Sequence, residues 1–282
     1  MTFECKFAYS TNAYTHHSLH YAVNEIKNLG FSGIEILADV PHISPRFITR
    51  NEILNLKSLL NRSHLVISNL NSNTAFCHAK NPQDKFGPTL ISDSRIDREL
   101  RLSNILKSIE IAETIGADNV SISTGEKGSA SKTNAMRRFI KSLNSILKYA
   151  ERKKIKIGIE YEPGHLIDRC DVLMDLFQIV QNDFLGANLD IGHSFCQNED
   201  TTQVIKTICK KIWNAHLEDI KDKIHDHLII GKGDIDWKNI LNAFKAINYN
   251  RFLTFELYPY VSEPSYAGKE SLKNIRKHFR DL

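Results

Sequence analysis

Residues 156–164 read KIGIEYEPG. Ile157 and Ile159 alternate with Gly158 and Glu160, and Glu162 keeps the polar parity. Successive strand side chains point to opposite faces, so this strand has one apolar face and one face carrying carboxylates. The same period recurs four times. Ile34 and Ile36 alternate with Gly33 and Glu35, and Ala187 and Leu189 with Asn188 and Asp190. Ala215 and Leu217 alternate with Asn214 and His216, and Leu253 and Phe255 with Thr254 and Glu256. In a closed barrel one parity faces the outer helices and the other the axis. The apolar set then packs under helices, and the acids and the imidazole point inward, late in each strand.

Working outward from residue 156, short apolar strands alternate with amphipathic helices along the whole chain. Eight strands are expected, at Lys6–Tyr9, Gly33–Leu37, Leu65–Leu70, Asn119–Ser123, Lys156–Glu160, Gly186–Asp190, Asn214–Glu218 and Phe252–Leu257. Helical patterns lie between them, and in one of these Leu102, Ile105, Leu106, Ile109 and Ala112 share a face. Gly30 and Gly116 stand where helices end before the next strand. Such alternation gives a parallel sheet, because parallel neighbours need a crossover. Eight units favour closure into a (β/α)8 barrel, and no G-x-G-x-x-G follows the first strand as a dinucleotide-binding fold would require. A barrel of this kind takes about 250 residues, so the 282 residues present are read as one α/β barrel domain spanning 1–282.

The composition is that of a globular enzyme-sized protein, with 41% apolar and 25% charged residues. A net charge of +4, from 37 basic and 33 acidic residues, is too even to call for nucleic acid. No run is long and apolar enough to span a membrane, and the first residues do not read as a signal peptide. Five scattered cysteines without a C-x-x-C pair point to free thiols in a reducing cytoplasm. The long irregular stretch from Asn71 to Asp93, with His78, Pro82, Gly87 and Pro88, is expected to cover an active site.

Inward and late on a strand means the C-terminal mouth, where barrel active sites are built. Glu160, Asp190, His216 and Glu256 fall there. Burying three carboxylates together is costly unless a cation compensates them. Three carboxylates and one imidazole suit Mn2+, Mg2+ or Co2+, with Zn2+ also accommodated. One divalent metal ion is therefore expected. Gly231-Lys232-Gly233 reads as a tight turn leading to Asp236 as a helix N-cap, with phosphate binding the competing reading.

Taken in order, LGFSGIEILADVPHISP, IGIEYEPG, NLDIGHS, NAHLEDI, HLIIGKGDIDW and FLTFELYPY resemble the sugar phosphate isomerase/epimerase superfamily of xylose isomerase-like barrels. That superfamily includes ketose 3-epimerases, fructoselysine 3-epimerase, inosose dehydratase and endonuclease IV, and the last stretch is most similar to the fructoselysine 3-epimerase branch. The resemblance carries the family's metal ligands onto Glu160, Asp190, His216 and Glu256. It implies a substrate-contacting role for His193, three residues after Asp190, and a site position for His227. An acid stands two residues before that last position in endonuclease IV, where this chain has His225. The family's strand-three and strand-four metal histidines have no match in SNLNSN and SISTG, which speaks against a multi-zinc DNA-repair nuclease.

The resemblance implies a metal-dependent sugar isomerase or epimerase, working by proton abstraction beside a carbonyl through a metal-stabilised enediolate. Glu160 and Glu256 are the expected acid and base. Glu162 and Glu35, of inward parity, are expected at the substrate together with His193 and His227. An inosose- or dehydroshikimate-type dehydratase is the alternative on the same scaffold. The expected partner is a small sugar or polyol, not nucleic acid or membrane. The oligomeric state, homodimer and homotetramer included, stays open.

Overall fold

The computed structural model describes residues 5–79, 84–126 and 128–279. Pro82, in the expected covering stretch, lies outside the described residues. In chain order the elements are β1 (Lys6–Ser10), α1 (Leu19–Asn28), β2 (Gly33–Leu37), α2 (Arg50–Ser63), β3 (Val66–Asn71), α3 (Arg95–Ile115) and β4 (Asn119–Ile122). They continue with α4 (Lys132–Lys153), β5 (Lys156–Ile159), α5 (Cys170–Ile179), β6 (Leu185–Asp190), α6 (Ile191–Cys196), α7 (Thr201–Thr207), β7 (Ile212–Leu217), β8 (Asp219–Lys221) and β9 (Ile224–Leu228). The last are α8 (Trp237–Ala246), β10 (Phe252–Phe255) and α9 (Pro264–Phe279).

Eight strands close into a parallel barrel in the order β1-β10-β7-β6-β5-β4-β3-β2. This is the TIM barrel that the alternation predicts. Local chemistry sets the helix limits. Ser18, Thr49, Ser94, Ser131 and Asp236 cap helix N-termini through their side chains, and Gly116, at φ 90°, ends α3. On α3, Ile105, Ile109 and Ala112 are fully buried, as their shared face requires.

One element escapes the sequence reading. β8 and β9 form a small antiparallel ribbon after β7, turned at Asp222 and Lys223, both in the left-handed region. The reading also runs β5 one residue and β10 two residues too far. The strands stop at Ile159 and Phe255, so Glu160 and Glu256 are the first residues beyond them, on the rim of the mouth.

The inward parity builds a polar axis. Asn69 donates to Glu35 Oε2 (2.7 Å) and to Ser121 (2.8 Å). Asn214 donates to Asn188 Oδ1 (2.8 Å) and Thr254 to Asn214 Oδ1 (2.8 Å). The opposite parity, Ile157, Ile159, Leu189, Leu217 and Phe255 among others, belongs to the apolar core. Buried polar groups are tolerated when paired, and each in this layer is paired to the next strand.

Candidate metal and substrate site

At the mouth, one ligand atom from each of Glu160, Asp190, His216 and Glu256 lies within 4.8 Å of the others, and all four residues are buried. The register makes this meeting: Asp190 pairs with His216 between β6 and β7, and His216 with Thr254 between β7 and β10. His216 stands at the centre. Its Nδ1 lies 3.5 Å from Glu160 Oε1, 3.5 Å from Glu256 Oε2 and 3.8 Å from Asp190 Oδ2. Its Nε2 is taken by Glu35 Oε2 at 2.7 Å. A carboxylate behind an imidazole fixes the ring and its tautomer, as metal-binding histidines require.

Glu35 is thus displaced from its expected place at the substrate. It is fully buried below His216, also bonded to Asn69 and Asn71, and does not line the cavity. Parity points it to the axis, but β2 carries it too deep to reach the mouth.

Four asparagines hold the Glu160 and Glu256 carboxylates. Asn12 donates to Glu256 Oε1 (2.8 Å), as does Asn71 (3.3 Å), and Asn73 donates to Glu160 Oε2 (2.5 Å). Asn188 also donates to Glu160 Oε2. The loop holding Asn73 is pinned by Arg101, fully buried on α3, which donates to the carbonyls of Ser72, Asn73 and Thr74 at 2.6–2.7 Å. None of these was singled out from sequence. The signal was present in SNLNSN, where the alternate positions Asn69, Asn71 and Asn73 all turn to the axis.

The electrostatics are those of acids crowded in a dry place. Burial, with Glu218 facing it, raises the Asp190 carboxyl well above its usual range. Burial also raises Glu160, pushes Glu162 up to about 8 and lifts Glu218 to about 7. Burial alone would lower His216, but Glu256, Glu35 and Glu160 around it raise it well above its ordinary value. Glu256 is the counterpart: burial opposes ionisation, yet the His216 charge holds the carboxyl well below the carboxylate range. Asp190 Oδ2 and Glu218 Oε2 have no hydrogen-bond partner among the described residues. They belong to a second group, Asp190, Glu218, His227 and Glu256, which shares the mouth. Orphaned carboxylate oxygens that converge beside an imidazole fit a bound divalent cation, which supplies the missing positive charge.

A third group is imidazole only. His193 Nδ1 donates to the Tyr161 carbonyl (2.9 Å) and His227 Nδ1 to the Glu256 carbonyl (3.0 Å). Both therefore present a bare Nε2, and His225 Nε2 lies 2.8 Å from one and 2.7 Å from the other. Burial keeps all three neutral, His227 down to about 3. The single Nε2 proton of His225 can serve one neighbour fully. His225 and His227 come from β9, whose period of two turns both inward, so the unrecognised ribbon is what delivers them.

Glu160, Glu256 and the three imidazoles line a cavity of about 290 Å³ with Asn12, Asn71, Asn73, Phe76, Lys85, Phe86, Glu162 and Tyr258. His193, His227 and Glu162 stand in its wall. The described part of the Asn71–Asp93 stretch contributes six of the lining residues, in keeping with a covering role. His42 is a structural histidine, bonded to Thr11 and to the carbonyls of Tyr14 and His17. His78 lines a neighbouring cavity. Around Gly231-Lys232-Gly233, Asp219 accepts from Gly231 N (2.6 Å), Ile235 N (3.3 Å) and Trp237 Nε1 (3.2 Å). The turn is filled by the protein's own carboxylate and offers no phosphate cradle.

A closed parallel barrel whose mouth gathers acids and imidazoles able to hold a metal ion defines the class of fold and site. The chain belongs to the family described as Xylose isomerase-like TIM barrel, whose profile matches residues 23–278. It is 23% identical over 266 residues to fructoselysine 3-epimerase of Shigella flexneri, covering 92% of each chain. It is 24% identical over 133 residues to inosose dehydratase of Clostridium tetani, covering 41% of this chain and 45% of that one. The crystal structure of a D-tagatose 3-epimerase-like protein superposes with a TM-score of 0.78 at 22% identity, covering 97% of this chain and 99% of the other. No helix among the described residues is long and apolar enough to cross a membrane.

Proposed function

We propose that this protein is a divalent-metal-dependent isomerase or epimerase of a ketose or related polyhydroxy carbonyl compound. The observation that carries the reading is the convergence of Glu160, Asp190, His216 and Glu256 from four neighbouring barrel strands. Those residues would hold Mn2+, Mg2+ or Co2+, with Zn2+ compatible with the same donors. The ion would supply the charge that stabilises an oxyanion developing on the substrate.

The chain's own residues account for the rest. Glu160 and Glu256 both line the cavity and flank His216, so a substrate between them meets a carboxylate on each side. One removes the proton beside the carbonyl and the other returns it. Asn73 and Asn188 orient Glu160, and Asn12 and Asn71 orient Glu256. His193 and His227 are locked by backbone carbonyls, and the one whose Nε2 is not served by His225 offers it as an acceptor for a substrate hydroxyl. The aromatic and aliphatic wall of Phe76, Phe86, Tyr258, Val40 and Leu37 reduces water access to the reacting carbon.

The test is solvent deuterium incorporation into a panel of ketoses by NMR, with metal content measured in parallel. Metal-dependent exchange at a carbon beside the carbonyl is expected. A panel with no exchange under any divalent ion would defeat the reading. The similarity to an inosose dehydratase favours a second reading, loss of water after the same abstraction, and a product lighter by one water in mass spectra distinguishes it.

A further inference from the structure

We propose that Lys85 reads an anionic group on the substrate, a carboxylate or a phosphate, held apart from the reacting carbon. This rests on the isomerase reading above and names the substrate class. Lys85 is the one Lys or Arg among the described residues lining the cavity. Its ammonium group has no hydrogen-bond acceptor and no carboxylate within ion-pair distance among the described residues. It sits between two rings, 4.8 Å from the centroid of Phe86 and 4.8 Å from that of Tyr258.

The support around it is built. Asp84 accepts from Gly87 N at 2.7 Å and closes a turn with Lys85 and Phe86 at its tip. A side chain on residue 87 would displace the Asp84 carboxylate that closes the turn. The Lys85 carbonyl accepts from Ala75 N at 2.8 Å, tying the turn to the loop that carries Asn73. Phe86 stands edge-on to His165, with ring centroids 4.5 Å apart, and Tyr258 packs against His227 at 4.5 Å. The two rings that flank the ammonium are therefore themselves held.

An ammonium group carries three donors. Aromatic faces attract its charge but leave those donors open. Glu162, in the cavity wall, feels the Lys85 charge but makes no ion pair with it, and its Oε2 lies 3.7 Å from His165 Nε2. The turn at Gly231-Lys232-Gly233 is already closed on Asp219, so the cavity has no second anion cradle there. A cation with free donors, set apart from the carboxylates Glu160 and Glu256 in the same cavity wall, favours a ligand whose far end is negative.

The experiment compares D-fructose, D-fructose 6-phosphate and D-fructuronate on the full chain with Mn2+ present. Binding is read by calorimetry, and exchange by deuterium incorporation. An anionic sugar is expected to bind at least about tenfold tighter than D-fructose, the scale of a hydrogen bond to a charged group. Lys85→Met should bring the three sugars within about threefold of one another, and Lys85→Arg should keep most of the preference. Lys85 is only half-buried, so both variants should unfold at the wild-type temperature. Which anion is preferred distinguishes phosphate from carboxylate. Equal affinities in the wild type would overturn the proposal, as would a Lys85→Met variant that weakens D-fructose as much as the anions. Anion-selective binding without exchange would defeat the isomerase reading and leave Lys85 standing. Exchange without anion preference would do the reverse.

Discussion

Glu35 and Asp190 are both fully buried acids of inward parity, yet their surroundings differ in kind. Glu35 lies in the barrel axis with both oxygens used, by Asn69, Asn71 and His216. Asp190 lies at the mouth with Oδ2 unpartnered, facing other acids and an imidazole. The axial layer below is satisfied pair by pair, whereas orphaned oxygens of Asn12, Asn73, Asp190 and Glu218 gather above it. A buried acid with every lone pair used is a support. A buried acid left short of partners marks where something else is meant to bind.

The largest effect expected from this contrast is catalytic. Glu160→Gln or Glu256→Gln should lower proton exchange by at least about 10²-fold, the lower range for a positioned acid or base. Metal content measured in the same samples separates lost proton transfer from lost metal. Wild-type exchange in both variants would remove these carboxylates from the reaction.

Metal binding itself should register as stability. At a free Mn2+ concentration of about 100 times Kd, the folded state gains about 2.7 kcal/mol, a rise of several degrees in Tm. Chelator should reverse the rise. Asp190→Asn should abolish it, and Thr254→Val, a change within the satisfied layer, should keep it. A rise of equal size in Asp190→Asn would break the distinction between the two layers.

Glu35→Gln sharpens the comparison from the other side. If Glu35 acts through His216, metal affinity should fall about 10- to 100-fold, the usual cost of losing a partner behind a ligand. Isothermal titration of metal into the variant decides this. Unchanged affinity with lowered Tm would make Glu35 a core acid only.

The smallest expected effect lies away from the mouth. Asp236 caps α8 by accepting from Asn239 N at 3.1 Å. Asp236→Ala should cost about 1 kcal/mol of stability, as cap removals typically do. Denaturant titration measures it, and exchange activity should be unchanged.

The alternation of Ile157, Gly158, Ile159 and Glu160, repeated on four other strands, was enough to announce a barrel and its inward face. A period of two is a local property, written in consecutive residues. The same period brought Glu160, Asp190, His216 and Glu256 to notice, because Asp190 and His216 stand late on their strands and Glu160 and Glu256 directly after theirs. The ribbon of β8 and β9 was hidden for a related reason. Its strands are short, and IHDHL carries too little apolar contrast to be told from a solvated turn.

What the sequence by itself determined, then, is the set of inward side chains and their order along each strand. Only the tertiary structure decided which of them meet. Glu35 and Asp190 look alike in sequence, and the barrel's stagger sets one beneath His216 and the other beside it. Arg101 reaches the Ser72, Asn73 and Thr74 carbonyls from a helix about thirty positions further on, and Lys85 reaches Tyr258 across the mouth. Such contacts depend on strand register and loop closure, which are fixed by packing over the whole barrel and not by any neighbouring residues.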